Sequence, residues 1–475
     1  MKIVVSQLGA RMHFAVPRNL QQQGMLGHLF TDFSAAKGLL SLLQIIPCAL
    51  RPTILQRLIS RKPDGVPPSR TTAFSWFGLK YSRRLRVAVT GEERDAAFLW
   101  AGQEFARRII KKGFGNPTAI YAFNTASLEL FEHARRIGVK CILEQTISPR
   151  KIEEQLMEQE RDTFPAWEPP KFSKYAMDLA SREVREWELA DWILCASEYV
   201  KDGIVACGGA PEKCLIVPYG VDMPSGEVET RTSRFESSEA PRAGLLSRAS
   251  QPGAAALAAA DTTSPAQPGV YLPGADESAP PCRTTTSELT SLHIRQSTPS
   301  DGTTTRLRVL TVGAVGLRKG SPYVLAAAKQ LKGIAEFRMV GAIHASSTAE
   351  AEIRQWIDLA GIVPRSGMTE QYTWADVFLL PSLCEGSATS TYEALAYGLP
   401  VITTPNAGSV ARDGLEGFIV PARDADAIVE KLTLLVRDRE LLARISDNAL
   451  QLSKEYTLKK YGDRLIDALR SHGVV

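Results

Sequence analysis

The chain has 475 residues, too many for one hydrophobic core, so two domains of ordinary size are expected. With 44% hydrophobic and 23% charged residues, its composition is that of a globular protein. No run of 18 apolar residues predicts a membrane-spanning helix. The seven cysteines form no CxxC pair and have no histidines at zinc spacing, which indicates a reducing compartment and disfavours a structural metal.

The net charge of +4 is unevenly distributed along the chain. Residues 1–90 contain 13 lysines and arginines against two acidic residues. Two interpretations remain open: attraction to an anionic membrane or anionic acceptor, or a basic surface with arginines needed inside a cleft. The segment Leu50–Lys62 alternates basic and apolar residues, so it either lies on a bilayer or packs on its domain. Because residues 2–8 look like a strand rather than a signal peptide, we expect a cytoplasmic protein.

The first 222 residues alternate strand-like and helix-like runs. A strand at residues 2–8 is followed by a helix predicted around Phe14–Phe30. Further strands are predicted at RVAVTG (86–91), TAIYAF, KCILEQT and CLIVPYGVD, with helices between them. Such alternation predicts a parallel, doubly wound sheet, and we assign residues 1–222 to a Rossmann-like acceptor domain.

Composition changes abruptly after this domain. Of the 82 residues from Ser225 to Arg306, 50 are Gly, Ala, Ser, Thr or Pro. Such a segment buries too little apolar surface to offset the entropy lost on ordering. We therefore expect residues 223–306 to be a disordered, low-complexity insertion or linker.

Regular patterning resumes at LRVLTVGAV, a predicted buried strand. The run Glu352–Gly361 is predicted as a helix, and DVFLLPS and LPVITT as strands. A second doubly wound, Rossmann-like domain is therefore expected at 307–455. A helix at 456–475 is expected to pack back toward the first domain. The predicted fold class is α/β, with the two domains facing across a cleft.

Two glutamates stand eight positions apart in the run Pro381–Ser409. Glu385 falls in a Gly/Ser turn after a strand, and Glu393 in the first turns of the following helix. A helix N-terminus attracts anions, and carboxylates placed there are suited to accept hydrogen bonds from sugar hydroxyls. The alternative interpretation is that both are ordinary turn and helix-terminus residues.

A glycine-rich loop, GAVGLRKGS, follows a predicted strand of the second domain. Its glycines allow close approach of a ligand, and Arg318 and Lys319 place two cations beside it. The spacing matches neither the dinucleotide nor the Walker pattern, so a loop with two solvated cations is the alternative. Asp424 and Asp426 form a DxD triplet, but Asp424 opens a helix and is interpreted as an N-cap. Cys384 has no nearby base in sequence and is interpreted as a packed thiol.

Taken together, these runs resemble the family 4 glycosyltransferases, which are retaining nucleotide-sugar enzymes of the GT-B fold. The matching segments are EWELADWILCASEYVKDGI, IVPYGVD, VGAVGLRKGS and ADVFLLPSLCEGSATSTYEALAYGLPVITT, the last of which carries an E-x7-E motif. The segment ARMHFAVPRNLQQQGMLGHLFTD is similar to the acceptor-side loop and helix of bacterial members that build surface polysaccharides.

The resemblance implies roles for the two charged motifs. Arg318 and Lys319 would neutralise the donor diphosphate as it departs. Glu393 would accept hydrogen bonds from the ribose hydroxyls, and Glu385 from hydroxyls of the donor sugar. Two cations and a helix dipole would then replace a divalent metal.

Four further positions would complete the donor side. The amides of Gly386 and Ser387 would face the donor, and Gly316 would lie against it. Gly9 would keep the N-terminal loop open to donor and acceptor.

The acceptor side is less defined by the resemblance. Many relatives carry a histidine near the anomeric carbon, where this chain has Tyr121 or Asn124. His13 is therefore the candidate for a catalytic or acceptor-binding role, and its alternative is a structural one. Glu144, at the end of a predicted strand, is a second cleft candidate.

The expected function is transfer of a hexose, or a related sugar, from a nucleotide diphosphate to an acceptor with retention of anomeric configuration. The expected partners are the nucleotide-sugar donor, a saccharide or lipid-linked acceptor and an anionic membrane surface. No metal, no cofactor besides the donor and no nucleic acid are expected. The alternatives are a GT-B epimerase or phosphorylase, or a non-catalytic nucleotide-sugar-binding protein.

Overall fold

The computed structural model describes residues 2–34, 61–169, 173–224 and 306–473. Almost all of the predicted low-complexity insertion lies outside these ranges. The same is true of most of the basic segment predicted to lie on a bilayer or on its domain.

Two parallel sheets organise the described chain, which confirms the predicted α/β class with two doubly wound domains. The N-terminal sheet has the order β3-β2-β1-β4-β5-β6-β7, and the C-terminal sheet β10-β9-β8-β11-β12-β13. The strands are Ile3–Gln7 (β1), Leu26–Thr31 (β2), Thr71–Ala73 (β3), Ala119–Phe123 (β4), Lys140–Gln145 (β5), Trp192–Cys195 (β6), Cys214–Ile216 (β7), Leu307–Val312 (β8), Ala335–Val340 (β9), Ile357–Gly361 (β10), Val377–Leu380 (β11), Val401–Thr403 (β12) and Gly417–Ile419 (β13).

Helices cover both faces of each sheet, and the apolar side chains between them form separate core clusters on the two faces. The helices are Ala15–Gln22 (α1), Ser75–Val87 (α2), Gly91–Lys112 (α3), Leu128–Arg136 (α4), Arg150–Thr163 (α5), Ala176–Leu189 (α6), Glu198–Ala206 (α7), Ser321–Gln330 (α8), Ser347–Ile353 (α9), Met368–Trp374 (α10), Thr389–Ala396 (α11), Ala425–Arg437 (α12), Arg439–Ser453 (α13) and Leu458–Ser471 (α14). Within the described ranges, no helix is both long enough and apolar enough to cross a bilayer.

Three predicted elements are wrong. Residues 86–91 end helix α2 and begin α3, while the edge strand of the sheet is the three-residue β3. The helix predicted around Phe14–Phe30 ends at Gln22, and strand β2 follows. Glu352–Gly361 contains the end of α9 and then strand β10, in which burial alternates with a period of two. That period is typical of an edge strand with one face on the core.

In each domain, the candidate loops lie at the point where the order of the strands in the sheet reverses. The order reverses between β1 and β4 in the first sheet and between β8 and β11 in the second. Ligands of doubly wound sheets bind outside the carboxyl ends of the strands at such reversals. The loops that begin at Leu8, Asn124, Gly313 and Pro381 all leave strands at these two points.

The C-terminal helix α14 returns to the N-terminal domain. Its side chains Tyr461, Leu465 and Leu469 are buried in the same cluster as Leu20 of α1. The backbone amide of Leu458 donates to the carbonyl of Val221 (3.1 Å) and so fixes the start of the helix beside the last segment of the first domain.

Truncation of the buried side chain in this helix should destabilise the N-terminal domain. Leu465 is fully buried, so Leu465→Ala is expected to cost about 2–5 kcal/mol and to lower Tm by at least about 4 °C. Leu434→Ala, on the partly exposed side of α12, is the control and should leave Tm nearly unchanged. Equal Tm values for the two variants in a calorimetric scan would show that α14 is not part of the core.

Candidate active site

A cavity of about 440 Å³ lies between the two domains, and it is called the interdomain cavity below. Both sheets present their strand ends to it. Its N-terminal wall is formed by Arg11, Met12, Glu144, Thr146, Ile147 and Tyr219. Its C-terminal wall is formed by Val312, Gly313, Lys319, Glu385–Ser390 and Glu393.

A three-residue ion cluster occupies the C-terminal wall. Oε1 of Glu385 lies 2.6 Å from Nη1 of Arg318 and 2.6 Å from Nζ of Lys319. Arg318 also donates to the carbonyl oxygen of Cys384 (2.8 Å). The two predicted cations and the first predicted glutamate are therefore in direct contact, and the carboxylate stands between the cations.

Two glycine-containing loops must approach closely to build this cluster. Gly320 follows Lys319 with φ 69°, and a Cβ atom there would lie 2.0 Å from the carbonyl oxygen of Pro381. The glycine therefore lets the loop after β8 contact the loop after β11. Lys319 is only 9% exposed, and burial lowers its pKa although the charge of Glu385 opposes the shift.

Gly386 lies against the N-terminal domain. A Cβ atom at this position would lie 1.9 Å from the carbonyl oxygen of Thr146. The carbonyl oxygen of Gly386 accepts from Oγ of Ser197 (2.5 Å), and the amide of Ser148 donates to the carbonyl oxygen of Glu385 (3.2 Å). Gly386 therefore lines the cavity and also allows the two domains to meet.

Ser387 and Glu393 hold defined positions on the same wall. Oγ of Ser387 lies 2.6 Å from the hydroxyl of Tyr392 and donates to the carbonyl oxygen of Gly408 (2.7 Å). Oε2 of Glu393 accepts from the hydroxyl of Tyr372 (2.6 Å). Tyr372 in turn stacks on Tyr397, so two packed rings orient the Glu393 carboxylate.

The N-terminal wall contains one buried carboxyl group. Glu144 is 3% exposed and accepts hydrogen bonds from the hydroxyls of Tyr121 (2.5 Å) and Tyr219 (2.9 Å). Burial raises the pKa of Glu144, and the two tyrosine hydroxyls partly oppose that shift. Arg11 adds a cation to this wall, and its Nη1 donates to Oγ1 of Thr146 (2.6 Å).

Arg318 contacts the C-terminal wall only through Glu385 and does not itself line the interdomain cavity. Three further predicted site residues lie away from the cavity walls. The amide of Gly9, which has φ 85°, donates to Oδ1 of Asp32 (2.9 Å). Gly316 faces the first domain, because Oε1 of Glu168 accepts from the amide of the next residue, Leu317 (2.8 Å). A Cβ atom at Gly316 would lie 2.3 Å from that carboxylate oxygen, so Glu168 occupies the space expected for the donor.

His13 is the third of these residues. It is exposed at the entrance to the interdomain cavity, and its ring contacts Arg365 of the opposite domain. Burial of the ring and the nearby Arg365 charge lower the pKa of His13, so the imidazole is neutral at neutral pH. Met12, His13 and Phe14 all have positive φ values (45°, 50° and 60°), a strained conformation that turns Arg11 and Met12 to the cavity instead.

Asp424 and Cys384, two further residues singled out in the sequence, have structural roles. Oδ1 of Asp424 accepts from the amide of Ala427 (2.8 Å), so it caps helix α12 as predicted. Cys384 is fully buried, and burial raises its pKa, so the thiol is a packed side chain. Among the described residues, no group of three histidine, cysteine or carboxylate side chains is arranged to hold a metal ion.

Sequence reasoning missed Arg11, Thr146, Tyr219 and Glu168. Arg11 lies three residues after the first predicted strand and Thr146 is the last residue of the predicted strand KCILEQT, so their position at strand ends was the available signal. Tyr219 belongs to the recognised run IVPYGVD but had no assigned role. Glu168 lies far from the glycine-rich loop in sequence, so only the tertiary structure reveals their contact.

Comparisons with known proteins agree with this architecture. Residues 306–438 match the family described as glycosyl transferases group 1. The amylovoran biosynthesis glycosyltransferase AmsK of Erwinia amylovora is 29% identical over 145 residues, which cover 27% of this chain and 36% of that protein. An N,N'-diacetylbacillosaminyl-diphospho-undecaprenol alpha-1,3-N-acetylgalactosaminyltransferase of Campylobacter jejuni is 28% identical, covering 31% of this chain and 40% of that protein. The chain thus matches about two fifths or less of the length of these relatives.

Solved structures match over the whole chain. HepE of Anabaena, crystallised with UDP and glucose, covers 99% of this chain and all of its own, with 12% identity and a TM-score of 0.54. Sucrose-phosphate synthase of Thermosynechococcus elongatus covers 100% of this chain and 99% of its own, with 13% identity and a TM-score of 0.57. The fold is therefore GT-B, with two Rossmann-like domains.

The ion cluster should respond to an added anion in a way that depends on Glu385. Glu385→Gln leaves Arg318 and Lys319 without their shared carboxylate, which is expected to destabilise the C-terminal domain by about 1–3 kcal/mol. Inorganic pyrophosphate should then raise Tm more in this variant than in the wild type, because it no longer competes with a carboxylate. Glu393→Gln, whose hydrogen-bond partner is the neutral Tyr372, is the matched control. Identical pyrophosphate shifts in both variants would contradict this description of the cluster.

Proposed function

We propose that the protein transfers a sugar from a nucleotide diphosphate sugar to an acceptor hydroxyl in polysaccharide or glycoconjugate biosynthesis. The observation that carries the proposal is the convergence of Lys319, Glu385 and Glu393 on one cavity wall, at the strand-order reversal of a group 1 domain. One cation and two carboxylates at that point match a ligand with a diphosphate and several hydroxyl groups.

The proposed chemistry follows from the charges. The bond between the anomeric carbon and the diphosphate oxygen breaks, so negative charge grows on the leaving nucleoside diphosphate. Lys319 lines the interdomain cavity and would stabilise that charge directly. Arg318 shares an oxygen of Glu385 with Lys319 and would add a second positive charge nearby. The acceptor oxygen forms the new bond and loses its proton, so the products are a glycoside, a nucleoside diphosphate and a proton.

The two glutamates would have different roles in this complex. Glu393, held by Tyr372, would accept from the ribose hydroxyls. Glu385 is bound to both cations, and a donor diphosphate that pairs with these cations would release Glu385 to accept from the sugar hydroxyls. We further propose that transfer needs no divalent metal, since the two cations supply the positive charge, and that it retains the anomeric configuration.

The names of the relatives support the proposed class of acceptor. One relative is an amylovoran biosynthesis glycosyltransferase, and the other is named for transfer to a diphospho-undecaprenol-linked sugar. We therefore propose a saccharide or lipid-linked saccharide as the acceptor, and we propose that the protein acts in the cytoplasm. A non-catalytic nucleotide-sugar-binding protein and a GT-B epimerase or phosphorylase are the alternatives that product analysis with labelled donor distinguishes.

One surface supports peripheral contact with an anionic membrane. The outer face of helix α2, defined by Trp76, Leu79, Lys80, Arg83, Arg86 and Val87, combines exposed apolar and basic side chains. Trp76 is 78% exposed and Val87 63% exposed. No acidic residue occurs between residues 74 and 90. Basic residues at a lipid surface are attracted to anionic headgroups, while exposed indole rings prefer the membrane interface.

Loss of either key cavity residue should abolish transfer without unfolding the protein. Lys319→Ala removes a donor to the leaving group and is expected to reduce kcat by roughly 10²–10³-fold. Glu393→Ala should mainly weaken donor binding. The donor is first found by a thermal-shift screen of UDP-, GDP- and ADP-sugars, because a bound donor raises stability.

The control for these variants is Lys329→Ala on the exposed side of helix α8, which should retain full activity. Transfer should also continue at an unchanged rate in EDTA. Full turnover by purified Lys319→Ala would refute the proposed roles, and loss of activity in EDTA that Mg²⁺ restores would refute metal independence.

Charge reversal on the outer face of α2 should release the protein from anionic vesicles. Each basic residue near an anionic surface contributes roughly 1 kcal/mol, so Lys80→Glu, Arg83→Glu and Arg86→Glu together should reduce partitioning by at least about 100-fold. Flotation with phosphatidylglycerol vesicles measures this partitioning. The control is the double variant Arg437→Glu and Arg444→Glu on the opposite domain. Equal flotation with neutral vesicles would contradict the electrostatic contact.

A further inference from the structure

A second cavity, of about 580 Å³, is lined mainly by the N-terminal domain, with Arg318 of the C-terminal domain at its edge, and is called the N-domain cavity below. It is bounded by the loops after β1, β4 and β5 and by helices α2, α3, α5 and α6. Arg11, Thr146 and Ile147 line both this cavity and the interdomain cavity. A molecule in the N-domain cavity would therefore touch the same side chains as a molecule in the interdomain cavity.

The lining of the N-domain cavity is strongly basic. Four arginines line it, and two of them are neutralised by neighbouring carboxylates. Arg150 pairs with Asp95 (2.8 Å) and with Glu154 (2.6 Å), and Arg318 pairs with Glu385 (2.6 Å). The other two, Arg11 and Arg94, are exposed and form no salt bridge with any carboxylate of the described chain.

The two carboxyl groups of the cavity do not compensate these cations. Glu183 is buried and accepts from the backbone amide of Arg150 (2.7 Å) and from the side-chain amides of Asn124 and Gln145 (3.1 Å each). Glu153 lies 4.0 Å from Nε of Arg318, so it interacts with a cation that is already paired. Burial raises the pKa of both carboxyl groups.

Three aromatic side chains also line the cavity, together with small polar and aliphatic residues. Tyr81 of α2, Phe98 of α3 and Phe123 at the end of β4 face the cavity. The guanidinium carbon of Arg11 lies 5.6 Å from the centre of the Phe123 ring. Aromatic faces with a few fixed polar groups are typical of ligand sites, and an aromatic face suits the C–H face of a sugar ring.

We propose that the N-domain cavity binds an acceptor sugar that carries an anionic group, either a carboxylate or a phosphate, paired with Arg94 and Arg11. The inference rests on the proposed function, because it takes the molecule in this cavity to be the acceptor. The guanidinium fork matches carboxylate and phosphate oxygens in a bidentate arrangement. The sugar ring lies on the aromatic side chains, and its reactive hydroxyl points past Arg11 into the interdomain cavity.

The test compares three small probes on the full chain by saturation-transfer NMR, with and without UDP. The probes are methyl glucoside, methyl glucuronide and glucose 1-phosphate. The wild type should bind at least one anionic probe about 10- to 100-fold more tightly than the neutral one, as charge-assisted hydrogen bonds predict. Preference for the glucuronide indicates a uronic acid acceptor, and preference for the phosphate indicates a sugar linked through phosphate.

Variants connect this preference to the cavity. Arg94→Ala should bind all three probes alike, while Arg94→Lys should retain part of the preference because it keeps the charge. Lys111→Ala removes one exposed cation from the same helix α3, outside the cavity, and should bind as the wild type does. Equal binding of the neutral and anionic probes by the wild type would overturn the proposal, as would an unchanged preference in Arg94→Ala.

The two proposals fail in different ways. If no nucleotide sugar binds or reacts, the proposed function is wrong, whatever the small probes do. If a nucleotide sugar binds and is turned over but the anionic probes show no preference, only the charge of the acceptor is wrong. Donor binding is followed by thermal shift with the wild type and Arg94→Ala, and it should be the same in both.

Discussion

The candidate site depends on one carboxylate that holds two cations. Glu385 contacts Arg318 and Lys319 with the same oxygen, at the point where the loops after β8 and β11 meet. Without the carboxylate, two positive charges would lie side by side in a poorly solvated wall, which is unfavourable. Under the proposed function, an incoming diphosphate would replace Glu385 as the partner of these cations.

Contact between the domains depends on backbone groups of the same loop. Gly386 lies directly against the loop after β5, and its carbonyl oxygen is bound by Ser197. Glu168 reaches from the first domain to the amide of Leu317 in the glycine-rich loop. The loop that carries both cations and the loop that carries Glu385 each contact the first domain, so the geometry of the ion cluster and the relative position of the domains are physically coupled.

The sequence predicted the fold class and the strand-end loops, because long hydrophobic runs and glycine-rich turns report on local structure. The family resemblance singled out Arg318, Lys319 and Glu385 as site residues, but their direct ion pairing was not predicted. The predictions were wrong where contacts between residues far apart in sequence determine the structure. The short strand β3 and the edge strand β10 contain too few residues to show a clear alternation of apolar and polar residues in the sequence. Gly316 faces Glu168, a contact between residues far apart in sequence. His13 was chosen by residue type, whereas the positive φ values of its loop turn Arg11 to the cavity.

The distribution of positive charge then distinguishes the two cavities. Lys319 faces the interdomain cavity, Arg318 faces the N-domain cavity, and Glu385 joins them. Arg11 lines both cavities from the opposite domain. Because guanidinium groups remain charged at any physiological pH while the pKa of the buried Lys319 is lowered, the N-domain side keeps its charge more firmly. If the donor and the acceptor are both anionic, as proposed, each would have its own source of positive charge, since one shared cation could not neutralise both.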